Sequence, residues 1–547
     1  MSKIVIIGGV AGGATAAARL RRLDEHAQII MFERGGFISF ANCGLPYHIG
    51  GAIEDRGDLL LQTPYSFRRR FNVDVRVQSE VMAIDREAKT VSVENKQTGE
   101  TYIESYDKLI LSPGGAPIIP PVDGASSKRV FTLRSVEDID RIKTYIKKAG
   151  PKSAAVVGGG FIGIEMAENL REAGLKVSII ELSGQVIAPL DIDMACDVHR
   201  HLRQKGVSLY LNNGLQSIAE QAGSLAVKLS QGGIEADMVI LAIGVKPESK
   251  LAKDAGLDIS DRGGVIVDKH MLTSDPDIYA VGDAVVVRDF VTGQPAMIPL
   301  AGPANKQARI AADNICGGLS EYEGTQGSAV IKAFDMTVAS TGINEKSARR
   351  AGIDYDKVFL WSPSHAGYYP GAKNMSIKVI FEKRTGRILG AQIVGYDGVD
   401  KRCDVLATAI RAGMTAYGLT RLELCYAPPY SSAKDPVNMA GYMIENVLTG
   451  KVKTFHWHDV DALPRDGSAT LLDVRAPQEA MRGRIDGFVN IPVDDLRGRI
   501  GELDNSKPIY VHCHSGLRSY IAARILTQNG FDAYNLSGGY RLYSAVK

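Results

Sequence analysis

Three stretches of this chain hold residues whose types and spacing point to chemistry. The first is SFANCGLPY (39–47), a lone cysteine, Cys43, among small and apolar residues. A free cysteine is ordinarily a small buried hydrophobe. Pro46, three positions on, fits the first turn of a helix, where a missing N–H costs nothing. A helix starting there favours thiolate at Cys43. A lone thiol cannot close an internal redox disulfide. It can attack an external disulfide or persulfide and hold half of it as a mixed disulfide, or be oxidised by peroxide to a sulfenic acid. The second stretch is KPIYVHCHSGLRSYIAARILTQNG (507–530), an apolar strand, a loop and a helix stopped by Gly530. Its loop, CHSGLR, places Cys513, Gly516 and Arg518 between strand and helix. A turn ahead of a helix aims successive N–H groups at one point. Those donors and Arg518 would stabilise a thiolate or persulfide at Cys513.

The third feature is a pair of glycine-rich turns. IVIIGGVAGGATAAARL (4–20) is an apolar run, then Gly8, Gly9, Gly12 and Gly13, then an Ala-rich helical stretch. Glycines let the backbone approach a pyrophosphate, which the helix N-terminus stabilises. The next strand ends in Glu33, 25 positions after Gly8, where a carboxylate can accept from ribose hydroxyls. Val10 stands where the usual second glycine would be. The second copy is cleaner: SAAVVGGGFIGIEMAENL (153–170) carries Gly158, Gly160 and Gly163 at GxGxxG spacing, and KVSIIE ends in Glu181. An acidic residue there pairs with a free 2′-hydroxyl and repels a 2′-phosphate, so NADH is expected over NADPH. Two such units predict two nucleotides held face to face.

These residues need a large scaffold. A chain of 547 residues is too long for one core and predicts three or four domains. Hydrophobic content of 45% and a net charge of +2 fit a soluble protein with no basic field for nucleic acid. No apolar run approaches the roughly 20 residues of a membrane span. The six cysteines lie far apart with no CxxC, which points to a reducing cytoplasm. Cys196, Cys316, Cys403 and Cys425 match no motif and read as structural thiols.

Both glycine turns, with the strand-turn segments YDKLILSPGGAP (106–117), DMVILAIGVKPES (237–249) and TSDPDIYAVGDA (273–284), resemble the FAD- and NAD(P)-dependent disulfide reductase superfamily. The resemblance implies FAD on the first unit, with Asp283 on the ribityl chain and Glu33 on the adenosine ribose. Members that reduce disulfides usually carry CxxxxC beside the flavin; here position 48 is His. The word SFxxCxxPY (Ser39, Phe40, Cys43, Pro46, Tyr47) resembles the coenzyme A disulfide reductases. So do SHAGYYPG (364–371) and YAPPYSSAKDP (426–436), which stand in place of a His-Glu proton donor. The resemblance implies that Tyr368 and Tyr426 reach the active-site sulfur from the partner subunit; Tyr369 and Tyr430 lie close enough to be confused with them. It places coenzyme A against Arg19, Arg22, Ser39, Asn42, Asn305 and Arg309. No metal site is expected.

The last ~95 residues resemble a rhodanese domain. Its DVRxxxE and GxIxGxxNIP words match Asp473-Val474-Arg475, Glu479 and residues 483–492, and six residues from Cys513 to Arg518 match sulfurtransferases rather than phosphatases.

The expected fold is α/β: a Rossmann-like FAD-binding domain (1–115 and 250–322), a Rossmann-like NAD-binding domain (116–249), an α+β dimerisation domain (323–450) and an α/β rhodanese domain (455–547). The expected protein is a cytoplasmic homodimeric flavoprotein. Using NADH and FAD, it would reduce coenzyme A persulfide, polysulfide or coenzyme A disulfide through Cys43, with Cys513 handling sulfane sulfur. Coenzyme A is then a substrate or bound thiol carrier, and no nucleic acid or membrane is a partner. Two rivals are an NADH oxidase or peroxidase with a Cys43 sulfenic acid, and a thiol sensor whose rhodanese module docks a partner.

Overall fold

The computed structural model describes residues 2–547. The apolar runs become strands because each is long enough for a sheet and buried on both faces, as parallel strands are. Lys3–Ile7 is followed by the helix Ala11–Leu23 and the strand Gln28–Phe32. Together they seed a five-stranded parallel sheet in the order Ile278–Ala280, Lys108–Leu111, Lys3–Ile7, Gln28–Phe32, Asp74–Arg76. The motif repeats in Ser153–Val157, Phe161–Glu172 and Lys176–Ile180, at the centre of a second parallel sheet. Each sheet is accompanied by a three-stranded antiparallel meander, 79–105 in one case and 215–236 in the other. The chain up to Val186, with Lys205–Gly327, forms one compact unit.

The other unit is Ile187–Gln204 with Ser328–Lys547. It holds a five-stranded antiparallel sheet in the order Ala329–Ala333, Met336–Gly342, Ile388–Gly395, Asn374–Glu382, Tyr355–Pro363. It also holds a parallel sheet in the order Lys453–Phe455, Ala533–Leu536, Ile509–His512, Thr470–Asp473, Val489–Asn490.

The helix Ile192–Gln204 sits with the antiparallel sheet for an electrostatic reason. Lys378 is buried, and its ammonium lies 2.8 Å from Asp193, 3.1 Å from Asp191 and 2.5 Å from Glu345. The three carboxylates come close enough to suggest a cation site, and the Lys378 ammonium sits among them. A buried cation stripped of water needs such partners. Among the described residues, no helix is long and apolar enough to cross a membrane.

Candidate active site

The two glycine turns share one wiring. Gly8 and Gly158 have φ of +99° and +110°, and a Cβ on either would overlap a carbonyl at 2.1 or 2.2 Å. Only glycine adopts this without strain. Gly13 and Gly163 let the helix close onto the turn: a Cβ there would lie 1.8 or 1.9 Å from the oxygen of Gly8 or Gly158. The acidic residues have a second duty. Gly9 N–H donates to Glu33 (2.9 Å) and Gly159 N–H to Glu181 (2.7 Å), while Gly35 and Ser183 hold the other carboxylate oxygens at 2.8 Å. Each carboxylate is therefore fixed at the rim of its turn. A Cβ on Gly160 would meet nothing within 4 Å, so the second turn is open above its backbone, as a dinucleotide phosphate requires. Gly12 faces Ser112 Oγ instead and serves packing.

Asp283 lies in a short 3₁₀ turn (Gly282–Ala284) opened by Gly282, whose N–H donates to Gln307 at 2.8 Å. Burial pushes its carboxyl up, with Arg134 pulling the other way. An under-solvated acid on the first Rossmann unit suits the hydroxyls of a flavin's ribityl chain, so the residues present fit FAD.

Cys43 sits in the 3₁₀ turn Asn42–Gly44, just before the helix Leu45–Gly50 with Pro46 in its first turn. The loop is pinned to the first glycine turn. Ser39 donates its N–H to Gly9 O at 2.8 Å and has φ of +45°, a left-handed conformation that costs a non-glycine residue energy and clusters at functional sites. The thiol is open to solvent on one side. The expected thiolate bias is not found. Burial on the other sides, then Glu165 and Asp283, push the Cys43 thiol up.

Glu165 is a residue the sequence reading missed. It projects from the NAD-turn helix Phe161–Glu172, and Tyr47 Oη donates to it at 3.3 Å. Burial pushes its carboxyl up to about 7, and the Tyr47 phenol is pushed up by burial and by Glu165. His48, at the position a CxxxxC pair would give its second cysteine, is buried; its Nδ1 meets Ile53 O at 2.8 Å and its Nε2 meets Lys143 at 3.2 Å.

Of the residues expected to hold coenzyme A, Arg19, Asn305 and Arg309 come together where the helices Ala11–Leu23 and Ala301–Ile315 pack. Arg19 Nε donates to Asp313 at 2.6 Å, Arg309 reaches the same carboxylate at 4.0 Å, and Thr15 hydrogen-bonds Asn305. Arg22 and Asn42 are exposed. Two arginines share one aspartate, so part of their positive charge is not neutralised there.

The second unit brings the tyrosines together. Tyr368 Oη and Tyr426 Oη are 3.0 Å apart, on exposed loops. That hydrogen bond pushes the Tyr368 phenol up. The loops are joined from beneath by Arg402, which is buried and donates to Ser364 O (3.0 Å), Ser431 Oγ (3.1 Å) and Asp435 Oδ2 (3.1 Å). Ala366 N–H closes the junction on Ser431 O at 2.9 Å. Tyr369 instead packs edge-on against His365, and Tyr430 sends its carbonyl to Arg402.

Cys513 is fully buried. Its Sγ accepts from Gly516 N–H at 3.1 Å and Ser519 Oγ at 3.3 Å. Gly516, at φ +99°, turns the chain into the helix Leu517–Gln528. Arg518 falls in that helix's first turn rather than in the loop, and its guanidinium is taken by Glu479 at 2.6 and 2.7 Å. Arg518 beside it holds the Glu479 carboxyl at about 2. The sulfur's direct donors are therefore Gly516 and Ser519. Ser519, missed in the sequence, lies one residue beyond the loop word. Of the remaining cysteines, Cys403 is buried, whereas Cys316 and Cys425 are exposed, so a structural role in a core does not describe those two.

Comparison with known proteins agrees with this geometry. Residues 2–308 match the pyridine nucleotide-disulphide oxidoreductase model, 328–436 the dimerisation domain of the same family, and 456–545 the rhodanese-like domain. The chain is 40% identical over 444 residues to a coenzyme A disulfide reductase of Staphylococcus haemolyticus, covering 81% of this chain and 99% of that protein. It resembles the crystal structure of reduced Bacillus anthracis CoADR-RHD with a TM-score of 0.98 and 53% identity, over 100% of this chain and 98% of that one. It also resembles an NAD-dependent persulfide reductase from A. fulgidus, at a TM-score of 0.91 and 39% identity, over 99% of this chain and 100% of that one. Paired glycine turns, a lone cysteine pinned to the first of them and a C-terminal sulfur loop thus converge with these likenesses, and the chain belongs to the pyridine nucleotide-disulphide oxidoreductase family, with a rhodanese-like domain joined to its dimerisation domain.

Proposed function

We propose that this protein is an NADH-dependent flavoprotein that reduces coenzyme A persulfide, polysulfide or coenzyme A disulfide at Cys43, and that its rhodanese domain takes up and delivers sulfane sulfur. The observation that carries this reading is the lone Cys43 tied to the first glycine turn through Ser39 N–H. Bound FAD would accept hydride from NADH and supply two electrons to the sulfur chemistry.

The chain's own residues do the rest. Glu33 and Asp283 hold the flavin nucleotide, and Glu181 selects NADH. Arg19, Arg22, Ser39, Asn42, Asn305 and Arg309 hold coenzyme A with its sulfur at Cys43. The Cys43 thiolate attacks a sulfur–sulfur bond, keeps one half as a mixed disulfide or persulfide and releases the other as a thiolate or hydrosulfide. Tyr368 and Tyr426 of the partner subunit protonate or hydrogen-bond the leaving sulfur, which makes the homodimer the active form. Cysteine usage favours a cytoplasmic setting.

The test is anaerobic NADH oxidation with coenzyme A persulfide, scored by sulfide release, beside coenzyme A disulfide. Cys43→Ser should lower both by more than about a thousandfold, while NADH still bleaches the flavin absorbance. Equal turnover of Cys43→Ser and the parent would reject the reading. NADH oxidation that needs oxygen and ignores both thiol substrates would establish the oxidase instead.

A further inference from the structure

The segment Ser537–Arg541 faces two ways. Toward the sulfur loop, Tyr540 N–H donates to Cys513 O at 2.8 Å and Arg541 N–H to His514 O at 3.0 Å. Gly539 makes this approach possible, because a Cβ there would lie 2.7 Å from both carbonyl oxygens. Toward the antiparallel sheet, Ser537 Oγ accepts from Phe359 N–H at 3.2 Å, in a buried contact. Gly538 lies against the Phe359 ring, where a Cβ would be 3.1 Å away. The Arg541 guanidinium stacks on the Trp361 ring, with Asp197 at 4.0 Å. Phe359 and Trp361 both belong to the edge strand Tyr355–Pro363.

We infer that docking of the rhodanese-like module on Phe359 and Trp361 sets the geometry of the Cys513 loop, with Arg541 and Ser537 as positioning residues for sulfur transfer; this rests on the sulfurtransferase reading of Cys513. Peptide orientation couples the two contacts. Tyr540 and Arg541 hold the carbonyls of Cys513 and His514, the two peptides that lead from the sulfur to Gly516, whose N–H reaches it at 3.1 Å. If the clamp loosens, those carbonyls are free to turn, and a carbonyl dipole near the sulfur disfavours thiolate. The Arg541 side chain is partly buried at this contact. The interface that joins two domains is thus also the back wall of the sulfur site.

The experiment uses the full-length holoenzyme. Trp361→Ala changes only the docking face, outside the rhodanese-like module, and Arg541→Gln changes the other side of the same contact. The readouts are the pH dependence of Cys513 alkylation, followed by peptide mass spectrometry, and sulfur transfer from thiosulfate or polysulfide. Both variants should move the alkylation midpoint to higher pH and lower the transfer kcat by about tenfold with KM little changed. Flavin content and coenzyme A disulfide reduction at Cys43 are the controls for folding. An unchanged midpoint in both folded variants would overturn the inference. A parent enzyme with no sulfur transfer would overturn the sulfurtransferase reading alone, and the alkylation profile would still decide the coupling.

Discussion

Cys43 and Glu165 form a linked pair at the residue scale. Glu165 titrates near 7 rather than at its ordinary 4.5, because it is buried, and its charge raises the thiol. Between those two values the folded chain keeps a proton that the unfolded chain has shed. Folding stability is therefore fully present below about 4.5 and falls as pH rises through 7, by up to about 3 kcal/mol. Glu165→Gln should flatten that slope in urea titrations run from pH 4.5 to 8. It should also bring Cys43 alkylation to lower pH, since the neutral amide no longer repels the thiolate. Alkylation profiles that superimpose would show that Glu165 does not govern the thiol. Glu181 makes a second residue-scale case. In the proposed function its carboxylate opposes a 2′-phosphate, and it also holds Gly159 and Ser183. Glu181→Arg should shift the NADPH/NADH ratio of kcat/KM by at least about tenfold toward NADPH. Glu181→Gln removes the charge and keeps one of the two acceptor oxygens, so it loses the repulsion with only part of the turn support.

At the scale of elements, Arg402 supports the tyrosine pair. It is buried under two loops and makes its ion pair with Asp435 at 3.1 Å. Removing one partner of such a pair leaves an uncompensated charge and costs about 3–5 kcal/mol. Arg402→Met should lower the unfolding free energy by that amount and separate the Tyr368 and Tyr426 hydroxyls. Turnover would then fall even at temperatures where the variant is folded. A folded Arg402→Met enzyme with full activity would mean that the pair needs no such support. Arg402 also marks where sequence reading stops. The glycine turns were legible because φ above zero and close helix approach demand glycine at Gly8, Gly13, Gly158 and Gly163 whatever surrounds them. The strands were legible as apolar runs, and the CHSGLR loop as a turn before a helix. Arg402, Glu165 and Ser519 were not legible. Each is an ordinary residue on a helix, and its partners lie 29, 118 or 6 positions away. The same holds for Ile187–Gln204, whose place is set by Asp191 and Asp193 meeting Lys378 across almost 190 residues.

At the scale of the whole molecule, the reading requires two chains. The tyrosines stand exposed on their own loops, Tyr368 at 76% and Tyr426 at 47% of full exposure, which in the proposed function leaves them free to meet a sulfur of the other chain. The matched dimerisation domain contains Tyr368 and Tyr426 within 328–436. If each pair serves the Cys43 of the other chain, the defects can complement. A dimer of one Cys43→Ser chain and one Tyr426→Phe chain has one site with both defects and one site with neither. Each parental homodimer carries a defect in both sites. Mixed dimers, purified by two different affinity tags, should therefore recover about half of the unmutated specific activity, because dimer sites of this kind act independently when they share no residue. If the tyrosines instead act within their own chain, every site in the mixed dimer carries one defect. Its activity would then equal the mean of the two parental homodimers. The two arrangements differ in outcome with the same protein in the cuvette, so verified mixed dimers at the parental mean would exclude the proposal that the tyrosines work across the subunit boundary.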